Sequence, residues 1–136
     1  MRPVTVAVTT PTRFHHFELA RELARHNCLG IVNTGFPRRL VRAPGVDPRL
    51  IRPFPWLQTP LAAANRFKLV PRRFGERLRR IAWTALDSHV ARNPPVCDVY
   101  VAHTGAGLAA GRTIRARGGV YICDTGTAHV RVHFRI

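Results

Sequence analysis

The stretch Val4-Thr5-Val6-Ala7-Val8-Thr9-Thr10-Pro11 alternates valine with smaller residues and stops at a proline. This period of two predicts a β-strand over residues 3–10. From Phe14 to His26 the period becomes helical, and one face of the predicted helix carries Phe17, Ala20, Leu23 and Ala24. Leu29-Gly30-Ile31-Val32 predicts a second strand, which ends at Asn33-Thr34-Gly35. A strand, a helix and a strand at this spacing form a βαβ unit, whose strands run parallel through a right-handed crossover.

The same alternation returns near the end of the chain. Residues 96–102 predict a strand, and Gly105–Arg117 predict a helix that ends at Gly118-Gly119. The inner face of this helix is expected to carry Leu108, Ala109 and Ile114. Val120-Tyr121-Ile122-Cys123 is nearly all apolar, as expected for a strand covered on both faces of a parallel sheet. The sequence therefore predicts a doubly wound, Rossmann-like α/β domain with helices on both faces of a parallel sheet.

The middle of the chain has a different character. Residues 36–60 are rich in proline and arginine and predict mostly loop, with one short strand near Leu50–Phe54. Residues 61–69 and 73–92 predict helices. The second helix has a stripe that consists of Phe74, Leu78, Ile81, Ala82, Ala85 and His89, with arginines opposite. Core packing is the favoured interpretation of the stripe, and a basic amphipathic helix on an anionic membrane is the alternative.

Length and charge narrow the class of protein. A chain of 136 residues fits one domain, and no apolar run approaches the roughly 18 residues that span a bilayer. The N-terminus has no secretory signal pattern, which makes a cytoplasmic location the expectation. The net charge of +15 suits nucleic acid, anionic lipid or a phosphorylated substrate. The arginines are scattered rather than gathered in one tail, so a nucleic-acid-binding protein is the weakest of these interpretations.

The cysteines give no metal pattern. Cys28, Cys97 and Cys123 each lie beside or within an apolar run, and buried free thiols are the favoured interpretation. The repeated Cys-x5-His spacing at Cys97/His103 and Cys123/His129 is the alternative, but it matches none of the usual zinc patterns. No metal ligand is therefore predicted.

Polar groups cluster where three predicted strands end. The turns are Thr9–His16, His103–Gly107 and Asp124–His129. In open parallel sheets, ligands bind beyond the carboxyl ends of the strands, near the point where the strand order reverses. His15, His16, His103 and His129 fall in these turns and are candidate site residues, whereas His26, His89 and His133 are expected to be ordinary core or surface residues. Asp124 either lines the site or caps the next helix.

Three of these motifs together resemble the N-terminal domain of GT-B glycosyltransferases of the family 4 type. They are the opening strand followed by Arg13-Phe14-His15, the strand Cys97-Asp98-Val99-Tyr100 ending at His103, and Cys123-Asp124-Thr125-Gly126-Thr127-Ala128-His129-Val130. The last resembles an Asp-Arg-Gly-Ser-Ser-His-Ile block of a bacterial subgroup. The chain departs from the subgroup at Thr12, where glycine is usual, and at Thr125 and Ala128, which replace the block's Arg and its second Ser.

The resemblance implies a metal-independent, retaining enzyme with no cofactor, for which a nucleotide-diphosphate sugar is the co-substrate. Asp124 and His129 occupy the positions expected to be catalytic. The positions expected to contact the donor phosphate or the acceptor are Thr12, Arg13, His15, His16, His103, Thr104, Gly105, Thr125, Gly126 and Thr127. A charge-based role at 125 cannot be carried over, because threonine stands there.

The resemblance also implies an organisation. Residues 1–136 would form part of the acceptor-side domain, incomplete at its C-terminal end and with an inserted segment at about 36–60, and the donor-binding domain would lie beyond Ile136. On this interpretation the 136 residues alone lack transferase activity. The expected acceptor is a cell-envelope, lipid-linked or polysaccharide glycan, reached from the cytoplasm with peripheral contact to an anionic membrane. The alternatives are another Rossmann-like nucleotide-binding enzyme or binding module, and a basic nucleic-acid-binding protein.

Overall fold

The computed structural model describes residues 2–13 and 15–125. Within them a parallel sheet of five strands is flanked by four helices. The elements follow in the order β1 (Val6–Thr10), α1 (His16–Arg25), β2 (Leu29–Thr34), β3 (Ile51–Pro53), α2 (Pro55–Arg66), α3 (Arg72–Arg92), β4 (Val99–His103), α4 (Leu108–Ala116) and β5 (Val120–Asp124). The predicted α/β class, the βαβ unit and the short strand near residue 52 are confirmed.

The order of the strands in the sheet is β3-β2-β1-β4-β5. The chain builds outward from β1 to β3, then crosses back over the sheet and continues on the other side of β1 with β4 and β5. The strand order therefore reverses between β1 and β4, where connections leave the sheet in opposite directions and open a crevice at the carboxyl ends of the strands.

Alternation along the strands supplies a core on each face of the sheet. Ala7 and Tyr100 face one side, where they pack with α3 and α4 through Leu86 and Ile114. Val8 and the neighbouring strand positions face the other side, where α1 packs with Leu19 and Leu23. The expectation of helices on both faces is thus confirmed, and it follows from the period of two along each strand.

Two further contacts fix α4 against its neighbours. The buried carboxylate of Asp87 on α3 accepts hydrogen bonds from the backbone N–H groups of Ala109 (2.8 Å) and Ala110 (2.9 Å) in the first turn of α4. These N–H groups have no partner within their own helix, so the carboxylate caps it from outside. A Cβ at Gly111 would lie 2.6 Å from the ring of Tyr121, so glycine lets α4 approach β5 closely.

The proline-rich segment is more ordered than predicted. Helix α2 begins at Pro55, so the expectation of loop through residue 60 is wrong for its last part. Proline at the first helical position lacks only an N–H that would have no helical partner there. Earlier in the segment, two short 3-10 turns occupy Arg38–Leu40 and Pro48–Leu50.

The part of α3 that packs in the core also differs from the prediction. Phe74, Leu78 and Ile81 are exposed, so core packing is wrong for this half of the stripe. The residues that pack toward the sheet are Ala82, Leu86 and Val90, at a spacing of four in the C-terminal half of the helix. The N-terminal half packs beside α2 and leaves its large apolar side chains in solvent.

The C-terminal strand differs from expectation as well. Val120 and Ile122 on β5 are exposed, so the prediction that both faces are covered is wrong for the part of the chain that the structure describes. On α4, Leu108 and Ala109 are exposed, whereas Ala110 and Ile114 are buried.

The cysteines are less buried than predicted. All three are free thiols, but Cys28 and Cys97 are half-buried and Cys123 is exposed, so the prediction that they are buried is wrong.

Among the described helices, none has the length and apolar character needed to cross a membrane.

Candidate functional site

The site lies at the carboxyl edge of the sheet, at the reversal between β1 and β4. In the register of β4 and β5, His103 is paired with Asp124, so both side chains point to the face covered by α1. Helix α1 starts at His16, one short turn after β1 ends at Thr10. The N-terminus of α1 and the ends of β4 and β5 therefore bring three histidines and a carboxylate together.

The closest contacts join α1 to β5. Nε2 of His15 lies 2.6 Å from Oδ2 of Asp124, and Nε2 of His16 lies 3.3 Å from the same oxygen. The two imidazole rings are stacked with their centroids 4.5 Å apart. The donor atoms of His15, His16 and Asp124 all lie within 4.8 Å of one another, a grouping that could hold a metal ion.

Burial separates the roles of the histidines. The side chain of His16 is fully buried, whereas that of His15 is half exposed. Burial lowers the pKa of His16 to about 4, and the neighbouring His15 adds to the effect while Asp124 opposes it. Burial also lowers the pKa of His103. His16 and His103 are thus neutral at pH 7 and available as hydrogen-bonding or metal-binding groups rather than as cations.

A cleft of about 440 Å³ opens beside His15. It lies between the start of α1 and the segment after β2, and its lining residues are Arg13, His15, Phe17, Glu18, Phe36, Leu40, Val41 and Arg42. The guanidinium of Arg13 donates a hydrogen bond of 2.9 Å to the carbonyl oxygen of Leu40, which holds this arginine across the cleft. Two arginines beside an aromatic ring suit an anionic ligand that also has an apolar or ring surface.

A second cleft, of about 390 Å³, lies on the other side of the site. Arg79, Arg80, Trp83 and Thr84 of α3 line it together with Thr104 and Gly105, which follow β4. The ring of Trp83 meets the edge of His103 at 5.1 Å between centroids, and Nδ1 of His103 lies 2.7 Å from the carbonyl oxygen of Thr104. The histidine cluster therefore lies between two arginine-lined clefts.

The structure brings together most of the predicted site residues that it describes. Arg13, His15, His16, His103, Thr104, Gly105 and Asp124 lie at this edge, in the cluster or lining its clefts. Thr12 is half-buried, and its carbonyl oxygen accepts a hydrogen bond from the hydroxyl of Thr10, which shapes the turn. Thr125 follows β5 and is exposed. Gly126, Thr127 and His129 lie outside the described residues, as does Phe14.

Comparison with protein-family models, curated proteins and solved structures gives no match.

Sequence reasoning missed several lining residues. Phe36 and Arg42 belong to the segment predicted as loop, and Trp83 lies on the predicted core helix. The sequence signal for Trp83 was its position beside Arg79 and Arg80 on α3. The structure places these three residues around a cleft with Thr104 and Gly105, just after β4. The contact of His15 with Asp124 has no local signal, since 109 residues separate the two positions.

The burial of His16 predicts a pH dependence of stability. Its pKa is about 4 in the folded chain and near 6.5 in the unfolded chain, so the unfolded state binds the proton more readily. The stability is fully present above about pH 6.5 and falls as the pH drops toward 4. We expect the free energy of unfolding to fall between pH 6.5 and pH 4 by about 2 to 3 kcal/mol more in the wild type than in His16→Gln. Urea titration in metal-free buffer measures both values.

The matched control is His26→Gln, at the exposed C-terminal end of α1. It should keep the acid slope of the wild type, because it leaves the buried ring of His16 in place. Equal slopes for the wild type and His16→Gln would contradict the assignment.

Proposed function

We propose that this chain is the acceptor-side domain of a nucleotide-sugar-dependent glycosyltransferase, acting at an anionic membrane surface on a phosphate-bearing glycan or lipid-linked acceptor. The observation that carries the proposal is the pairing of His15 with Asp124, 2.6 Å apart, at the edge of an arginine-lined cleft and at the reversal of strand order. The resemblance in sequence supports it, since the motifs that carry the resemblance run through the same turns.

Glycosyl transfer makes two demands that these residues suit. The acceptor hydroxyl loses its proton as its oxygen bonds to the anomeric carbon, and the bond from that carbon to the diphosphate breaks. The His15–Asp124 pair can orient the hydroxyl, and Asp124 holds the imidazole in place. Arg13 and Arg42 can bind a phosphate on the acceptor in the cleft. The donor would be held mainly by a second Rossmann-like half that closes over this edge.

The first cleft generates a binding prediction. Titration of a phosphorylated glycan into isotope-labelled chain should shift the amide resonances of residues 12–18. Arg42→Ala should raise the dissociation constant at least about tenfold, because one charge-assisted contact to phosphate is lost. Arg39→Ala is the matched control, since Arg39 is exposed in the 3-10 turn just before Arg42 and does not line the cleft, and it should bind as the wild type does.

The same titration with nucleotide-diphosphate sugars separates the alternatives. The acceptor-side proposal predicts weaker binding of these donors than of the glycan. A nucleotide that binds tightly while the glycan does not bind would contradict the proposal and favour another Rossmann-like nucleotide-binding enzyme or binding module. A glycan affinity that is unchanged in Arg42→Ala would also contradict it.

The membrane part of the proposal rests on what we call the basic apolar face, residues 67–81. Phe67 and Leu69 in the turn between α2 and α3 are 69% and 73% exposed, and three large apolar side chains of α3 join them: Phe74, Leu78 and Ile81. Six exposed cations are interleaved with these side chains along the sequence: Lys68, Arg72, Arg73, Arg77, Arg79 and Arg80. Exposed apolar groups interleaved with cations suit an interface of anionic headgroups and acyl chains.

Sedimentation with vesicles tests this face. The chain should partition onto vesicles that contain anionic lipid and remain in the supernatant with zwitterionic vesicles. The double substitution Phe67→Ser with Leu69→Ser should lower the partition coefficient at least about tenfold, because two inserted side chains lose their apolar transfer free energy. Val96→Ser is the control, since Val96 is 92% exposed but lies outside this face. Equal recovery in both supernatants would overturn this part of the proposal.

A further inference from the structure

The contacts at the start of α1 have the composition of a metal site. Two consecutive imidazoles and one carboxylate converge from opposite ends of the described chain, with all donor atoms within 4.8 Å of one another. They are His15 and His16 from the N-terminus of α1 and Asp124 from the end of β5. Among the described residues, this is the one group of three such side chains whose ligand atoms lie close enough together to hold an ion.

Two of the three distances between ligand atoms are close to those that an ion requires, and the third is within 4.8 Å. A tetrahedral ion with bonds of about 2.1 Å holds two ligand atoms about 3.4 Å apart, and an octahedral ion holds adjacent ones about 3.0 Å apart. Nε2 of His16 and Oδ2 of Asp124 are already 3.3 Å apart. Nε2 of His15 lies 2.6 Å from that oxygen and must move away by less than 1 Å. The half-exposed side chain of His15 has room for this movement.

The surroundings fix two of the three ligands before an ion arrives. His16 is fully buried, with its ring between those of His15 and His103, at centroid distances of 4.5 Å and 5.7 Å. Asp124 is held by the register of β5 against β4. Ligands that neighbouring groups hold in place lose little conformational freedom when they bind a metal.

The identity of the donors selects the class of ion. Two imidazole nitrogens and one carboxylate oxygen suit Zn²⁺, Fe²⁺, Co²⁺ or Ni²⁺, whereas Mg²⁺ and Ca²⁺ prefer oxygen ligands alone. Within the described residues the site supplies three protein ligands, the number that catalytic zinc sites use. His15 also lines the arginine-lined cleft, so an ion held here would border that cleft.

We propose that His15, His16 and Asp124 form a binding site for one divalent transition-metal ion at the edge of the arginine-lined cleft. The proposal does not depend on glycosyl transfer, since metal binding is measured without any sugar. It departs from the metal independence that the resemblance implies, and an ion held here could bind a phosphate or hydroxyl oxygen of the ligand in the cleft.

The test is a titration of the chelator-treated full chain with Co²⁺, followed by visible absorption, and with Zn²⁺, followed by calorimetry. One equivalent of each should bind, and excess Mg²⁺ should not compete. His15→Ala and Asp124→Asn should each weaken binding at least about tenfold, since each removes or weakens a ligand. The matched control is His26→Ala, which removes an exposed imidazole at the other end of the same helix and should bind as the wild type does.

Two checks keep the result decisive. The three free thiols could bind metal, but thiolate ligation adds an intense charge-transfer band in the near ultraviolet that nitrogen and oxygen ligands lack. His15 is half exposed, so His15→Ala should keep the urea midpoint of the wild type and remain informative even if Asp124→Asn unfolds. No binding, binding with the thiolate band, or unchanged affinity in His15→Ala would overturn the proposal.

Discussion

The hydroxyl of Thr9 joins the three central strands of the sheet, and the rest of the structure depends on that arrangement. Its oxygen accepts hydrogen bonds from the hydroxyl of Tyr100 on β4 at 2.8 Å and from the side-chain amide of Asn33 on β2 at 3.1 Å. All three groups are buried, and leaving any of them without its bond would cost about 1 to 3 kcal/mol. Their burial also raises the pKa of Tyr100, which keeps the phenol a donor. This polar contact links β1 to β2 on one side and to β4 on the other, in line with the backbone pairing of the same strands.

The position of β1 explains why chemistry gathers at one edge. With β1 in the centre, the carboxyl ends of β1 and β4 are neighbours, and the turn after β1 leads directly into α1. The pairing of His103 with Asp124 then places both side chains beneath the start of that helix. Arginines reach the same edge from the segment after β2 and from α3. Neutral imidazoles, one carboxylate and flanking cations suit an anionic ligand, and the glycosyl-transfer and metal proposals both draw on this arrangement.

The sequence predicted the local elements well and the long-range contacts less well. The period of two at Val4–Val8 and the helical period that follows predicted the βαβ unit, because both depend on residues close in the chain. Core packing was predicted along the whole stripe on α3, but only the C-terminal half of that helix reaches the sheet. His15, His103 and Asp124 could be predicted as edge residues from their positions after strands. Their mutual contacts could not, because these depend on strand order and register, and His15 and Asp124 are 109 positions apart in the chain.

Nuclear Overhauser effects in the isotope-labelled chain report directly on the strand order. We expect contacts between the backbones of Ala7 and Tyr100, which are register partners in β1 and β4, and between the rings of His16 and His103, whose centroids are 5.7 Å apart. Both follow from β4 lying beside β1. Contacts that join β4 to β3 instead, with His16 in contact only with its own helix, would contradict the strand reversal and the site that depends on it.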